Sequence, residues 1–139
     1  MAMMPKRTKF RKSQRGKVRG YAERGNTVAY GEYGLQALEP AWVTARQIEA
    51  GRVAASHFLA GEGQVFIRIF PHKPVSAKPI EVRMGTGKGD VSHYVAIVHP
   101  GTVMYEIGGV PLDLARQALK RTCRKMPIRT RFVGRRIEL

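Results

Sequence analysis

The 139-residue sequence contains a single cysteine, Cys123. It excludes an internal disulfide, fits a reducing, cytoplasmic compartment, and reads as a small buried hydrophobe on a helix. No apolar run approaches the roughly 20 residues needed to span a membrane. The basic start, Met1 to Phe10, is not followed by the apolar stretch of a secretory signal. Lys and Arg continue through Arg24 with no amphipathic face, so a transit-peptide reading has little support. None of the four histidines, His57, His72, His93 and His99, stands at a metal-ligand spacing from another His or from Cys123. No acidic pair is placed for acid–base work, and no serine sits in a nucleophile elbow. These absences leave no covalent, zinc or disulfide chemistry to build on, and the chain is expected to be neither an enzyme nor a cofactor protein.

Acid is lacking chiefly at the two ends. Residues 1–24 hold nine Lys or Arg and only Glu23, and residues 116–139 hold nine and only Glu138. The stretch between has seven bases and eight acids, so each end contributes +8 to the formal net charge of +15 and the middle −1. Solubility alone would be served by spread charge. Charge gathered at both ends points to a polyanionic partner: RNA, DNA or an anionic membrane. The second helix below has a basic side, but its narrow apolar face is explained more simply by packing on its own domain than by a membrane surface.

With 43% hydrophobic residues, a chain of this length has enough apolar material for one core. Residues 1–26 have few large apolar side chains and no periodicity, and are expected to form an extended arm that orders on a partner. Its rings, Phe10 and Tyr21, either stack on bases or pin the arm to the domain. Residues 27–139 are expected to form one domain. Val28, Tyr30 and Tyr33 suggest strand between Thr27 and Leu38, closed by Pro40. Thr44 to Ala60 reads as a helix opened by a Thr44/Gln47 capping box. Ala45, Ile48, Ala55 and Phe58 or Leu59 form its buried face, and Gly51 marks a tight contact. Gln64 to Phe70 alternates as a strand. Pro71, Pro74 and Pro79 keep the next stretch out of any central strand, and Ile80 to Arg83 is a short strand. Val91 to Val98, the turn His99-Pro100-Gly101 and Thr102 to Ile107 read as a hairpin. Pro111 to Met126 is a second helix, with Pro111 at its first position. Leu112, Ala115, Leu119, Cys123 and Met126 form its buried stripe, and Arg116, Lys120 and Arg124 lie four apart on a basic one. Ile128 to Val133 is a strand with one cationic face. The class is α+β: two helices on a largely antiparallel or mixed sheet, with basic terminal extensions.

The sharpest local pattern is Arg83-Met84-Gly85-Thr86-Gly87-Lys88-Gly89-Asp90. Alternate glycines permit positive φ and close backbone approach, and Arg83 and Lys88 add cations. A Walker loop would need Gly where Val82 stands and Ser or Thr where Gly89 stands. A dinucleotide loop would open a helix, whereas a strand follows here. A phosphate-contacting loop remains.

Several blocks together resemble one family. Pro5-Lys6-Arg7-Thr8-Lys9-Phe10-Arg11-Lys12 resembles the start of the bacterial large-subunit ribosomal protein L-sixteen, related to the archaeal and eukaryotic L-ten-e. So do Thr44 to Ala50, Ile67-Arg68-Ile69-Phe70-Pro71 with Lys73-Pro74 and Lys78-Pro79, the Arg83 to Gly89 loop, and Met126-Pro127-Ile128. The blocks fall in family order between about Pro5 and Val133. Two departures stand out. Ala60-Gly61-Glu62 lies where the family usually has a basic pair, and Phe66 and Tyr94 lie where it commonly has Trp.

The resemblance implies a hammerhead-like α/β fold and a structural role in the large ribosomal subunit, with late entry into the assembling particle. It implies binding to large-subunit rRNA through Lys6, Arg7, Lys9, Arg11, Lys12, Arg15, Lys17 and Arg19 of the arm, to which the charge pattern adds Arg116, Lys120 and Arg124. It implies a tRNA-proximal loop of Arg83, Met84, Gly85, Gly87, Lys88 and Gly89 near the peptidyl transferase centre, facing A-site tRNA, with P-site tRNA a further candidate. Neighbouring ribosomal proteins complete the implied partners; a small-molecule substrate is not among them. The competing reading is a free RNA- or DNA-binding regulator, which no helix-turn-helix, RRM or KH signature supports.

Overall fold

The computed structural model of the chain describes residues 3–78, 85 and 87–135. Its elements run β1 (Tyr33–Ala37), β2 (Ala41–Thr44), α1 (Ala45–Leu59), β3 (Gln64–Ile67), β4 (Lys73–Ala77), β5 (Asp90–Val98), β6 (Val103–Gly108), α2 (Leu112–Cys123) and β7 (Thr130–Gly134). The α+β class holds, and the strands divide between two sheets ordered β3-β6-β1-β7 and β2-β5-β4. Every described pairing is antiparallel.

Helix α1 starts where expected. The Thr44 side chain accepts from the Gln47 N–H at 3.2 Å, and the Gln47 side chain accepts from the Thr44 N–H at 2.9 Å, which satisfies two N–H groups that the helix cannot bond internally. Ala45, Ile48, Gly51, Ala55 and Leu59 are its buried face, so Leu59 rather than Phe58 completes the stripe. Helix α2 lies against β1, β6 and β7 of the four-stranded sheet, α1 touches β3 of that sheet and β2 and β5 of the other, and the two helices pack on each other. The contact is close at Gly51: a Cβ there would stand 2.6 Å from the Tyr105 hydroxyl and 3.0 Å from Thr122 Cγ2. Tyr105 donates to the Ile48 carbonyl at 2.6 Å and Thr122 to the Gly51 carbonyl at 3.0 Å. The core gathers Leu35, Ile48, Leu59, Met104, Tyr105, Ile107 and Leu119 around this junction.

Three expectations need correction. The β5 and β6 strands do not form a hairpin: the 99–101 turn is present, with Thr102 N–H bonded to His99 O at 3.1 Å, but β5 pairs with β2 and β4 whereas β6 pairs with β1 and β3. The turn is a corner between sheets. Helix α2 buries Ala115, Ala118, Leu119 and Thr122, while Leu112 is 44% exposed and Cys123 half-buried. Its face is rotated because close approach to α1 favours small side chains over large apolar ones. Pro111 is the residue before the first helical turn, at φ −63° and ψ 159°, rather than its first member. Strand β2, between Pro40 and the helix cap, is an element the sequence pattern does not predict. The prolines left room for β4, which lies at a sheet edge, where Pro74 removes no central ladder bond. The expected strand from Ile80 to Arg83 lies outside the described residues.

Candidate nucleic-acid interface

Residues 3–26 contain no helix or strand. They are held to the domain chiefly through their backbone. Lys73 Nζ donates to the Arg15 carbonyl and Lys88 Nζ to the Ser13 carbonyl. Further on, Ala22 N–H donates to Pro100 O at 2.9 Å, and Val103 N–H to Gly25 O at 2.8 Å. Backbone anchoring leaves the side chains outside: Lys6, Arg7, Lys9, Arg11, Lys12, Arg15, Lys17 and Arg19 are all exposed. Among the described residues, no acid lies within ion-pair distance of any of them. Phe10 is 76% and Tyr21 83% exposed, so neither ring does much to pin the arm.

The arm meets the glycine loop. Lys12 Nζ donates to the Lys88 carbonyl at 3.1 Å, next to the Lys88–Ser13 bond. Two cations that lie far apart in sequence are thus held side by side, which raises the local potential for an anion. Within the loop, Gly85 and Gly87 have φ of +103° and +94°, a region that L side chains rarely enter. Gly89 passes so close to β4 that a Cβ would stand 2.8 Å from the Ala77 carbonyl oxygen. Both expected uses of glycine are therefore present. Arg83 and Met84 lie outside the described residues.

The α2 stripe occupies a different place, on the helix packed against the four-stranded sheet. Arg116, Lys120 and Arg124 are all exposed, opposite the buried Ala115, Ala118, Leu119 and Thr122. The Arg116 guanidinium lies 5.2 Å from the Phe132 ring centroid, and that of Arg121 4.7 Å from Phe58. Such contacts orient a guanidinium while leaving its charge in place. Arg121, Arg124 and Lys125 edge an open groove of about 570 Å³ between the helices, together with His57 and Glu49. On and beside β7, Arg131 donates to Gln36 at 2.7 Å, and Arg129 lies 3.6 Å from Glu39. Both partners of the latter are largely exposed, so it contributes little to stability.

Sequence reasoning missed the most elaborate charged site. The Glu106 side chain is fully buried. Its Oε1 accepts the N–H groups of Ala29, Tyr30 and Gly31 at 2.8, 2.9 and 3.1 Å, and its Oε2 lies 2.6 Å from Arg68 Nη1. Burial pushes this carboxyl's pKa up. The Gly31 N–H, the Arg68 guanidinium and the N–H groups of Tyr30 and Ala29 outweigh that and hold it below the ordinary carboxylate range. The available signal was one acid inside VMYEIG and one base inside QVFIRIF, a lone charge of each sign in two apolar strands. The other close ion pair, Glu49 with Arg52, spans a single helix turn.

An acid-poor arm anchored by its backbone, a glycine loop meeting it and a helix with one cationic face define a protein built to bind a polyanion. A family model described as Ribosomal protein L16p/L10e matches residues 5–133, and the chain belongs to that family. It is a structural protein of the large ribosomal subunit, binds rRNA within a ribonucleoprotein and serves translation. Among the described residues, no helix is long and apolar enough to cross a membrane.

Proposed function

We propose that the chain fastens to large-subunit rRNA through its N-terminal arm and its α2 stripe, and presents the Arg83 to Gly89 loop towards the acceptor arm of A-site tRNA, and of P-site tRNA, near the peptidyl transferase centre. Residues 1–26 act as an rRNA-threading arm and residues 27–139 as one domain. The observation that carries this reading is the set of exposed arm cations with no acidic partner among the described residues, with Lys12 bonded at the foot of the loop. Crowded like charges cost free energy in the free protein, and a polyanion relieves that cost while releasing its counterions. A-form RNA offers phosphates, 2′-hydroxyls and shape rather than readable base edges, which suits exposed cations on an extended arm. Family membership supports the same reading, including late entry into the particle and work by positioning rather than by chemistry of its own.

Two experiments test it. Large subunits pelleted through a high-salt cushion should retain the chain in near one-to-one amount; finding it mostly free in cells with normal ribosomes would refute the reading. Arg83→Ala should leave the fold intact and slow accommodation of aminoacyl-tRNA. Unchanged elongation rate and accuracy would remove the loop from tRNA contact.

A further inference from the structure

We propose that Tyr30, backed by Phe66 and flanked by Arg135, is a stacking platform for one unpaired base of large-subunit rRNA. This rests on the rRNA-binding reading and adds to it a site away from the arm, the loop and the α2 stripe.

Tyr30 is 68% exposed, yet it is firmly held. Its own N–H and those of Ala29 and Gly31 converge on the buried carboxylate of Glu106. Its ring stacks on Phe66, with centroids 6.0 Å apart and planes 29° from parallel, and lies 5.2 Å from the Arg68 guanidinium. Arg68 is fixed in turn by Glu106 and by the Thr27 carbonyl at 2.9 Å. One buried carboxylate thus anchors both the ring's backbone and part of its backing. With 68% of the residue exposed, much of the ring remains open to water, an ordered aromatic surface that these contacts among the described residues leave uncovered.

Beside it lies a recess of about 420 Å³, lined by Gly63, Gly108 and Gly109 together with Phe66, Gln64 and Arg135. The glycines contribute no side chains to fill it. Arg135 spends one guanidinium nitrogen on the Ala29 carbonyl at 3.0 Å and keeps further donors for a phosphate. Gln64 offers an amide and Glu32, which also lines the recess, offers acceptors for a base edge. Glu32 would repel a duplex backbone laid across the recess but not the amino group of a single base, which favours a splayed nucleotide. Single-stranded loops and bulges of RNA supply such bases, and stacking on an aromatic ring tolerates any of them.

The test uses the full chain titrated against transcribed large-subunit rRNA over a range of salt. Tyr30→Phe should bind as wild type. Tyr30→Ala and Tyr30→Leu should bind roughly fivefold to a hundredfold more weakly, with unchanged thermal midpoint and unchanged slope of log K against log salt, because no charge is removed. Arg135→Gln should lower that slope by about 1. In purified large subunits, ultraviolet irradiation should yield a Tyr30 peptide carrying a nucleotide. Wild-type affinity in both Tyr30→Ala and Tyr30→Leu, or subunits that contain the chain but give no such crosslink, would overturn the platform while leaving rRNA binding intact. Failure of the wild-type chain to bind rRNA at all would overturn both.

Discussion

Arg68 and Arg116 carry the same charge in opposite circumstances. The Arg68 side chain is 18% exposed and is clamped at 2.6 Å to a carboxylate with no exposure at all. Arg116 stands in solvent on α2, with a ring beneath it and no described acid within ion-pair distance. Around Arg68 both oxygens of the buried acid are engaged, Oε1 by three N–H groups and Oε2 by the guanidinium, so the charge there is structural: it ties the stretch from Ala29 to Gly31 to β6 and the end of β3. Around Arg116, Lys120 and Arg124 no acid among the described residues answers the charge. The contrast separates what the fold needs from what a partner needs. Paired, buried charge should appear in stability measurements, and unpaired, exposed charge only in binding.

The largest effect should come from removing the paired acid. Glu106→Ala strips the acceptor from three N–H groups and from Arg68, and should cost about 3–5 kcal/mol in urea denaturation of the free protein. A cost below about 1 kcal/mol would mean the site is not structural. Next is the helix junction. Gly51→Ala gains about 1 kcal/mol of helix propensity but places a methyl 2.6 Å from the Tyr105 hydroxyl. Overpacking of that kind costs about 1–3 kcal/mol, so the variant should melt below the wild type; a higher midpoint would show that the helices can part without penalty.

Acid should act on the same site more gradually. A carboxyl whose folded pKa is depressed contributes stability that is present above its ordinary value of 4.5 and is lost as pH falls through the lower, folded value. Wild-type stability should therefore decline below about pH 4.5, and Glu106→Gln should show a shallower acid limb; equal limbs would detach the decline from Glu106. The smallest effect on stability belongs to the exposed side of the comparison. Arg116→Gln, Lys120→Gln and Arg124→Gln combined should move unfolding free energy by no more than about 0.5 kcal/mol per site, measured by the same urea titration.

Much of this was legible in the sequence, and the misses have physical causes. Helix α1 announced itself because its start is local: Thr44 and Gln47 satisfy their bonds within four residues. Gly51 stands out because a glycine inside a helix is costly unless something demands it, and Tyr105 and Thr122 do. The phase of α2 misled because Ala118 and Thr122 are buried for being small, whereas periodicity weighs apolarity. Strand, turn and strand from Val91 to Ile107 look alike whether the strands pair or part, since partner choice is decided by β1, β2, β3 and β4 elsewhere in the chain. Glu106 hid for the same reason: its partners lie 38 to 77 residues away. The charge of the two ends was visible as composition, but its exposure, and the meeting of Lys12 with Lys88, are properties of the fold.

The most direct measurement is the salt dependence of binding to large-subunit rRNA for the wild-type chain and for the combined Arg116→Gln, Lys120→Gln and Arg124→Gln variant, with unfolding followed in parallel. Removing one cation that neutralises a phosphate should lower the slope of log K against log salt by about 1, so the variant's slope should fall by up to about 3 while its unfolding midpoint stays with the wild type. An unchanged slope, or weaker binding that merely tracks a lowered midpoint, would contradict the assignment of this exposed charge to RNA.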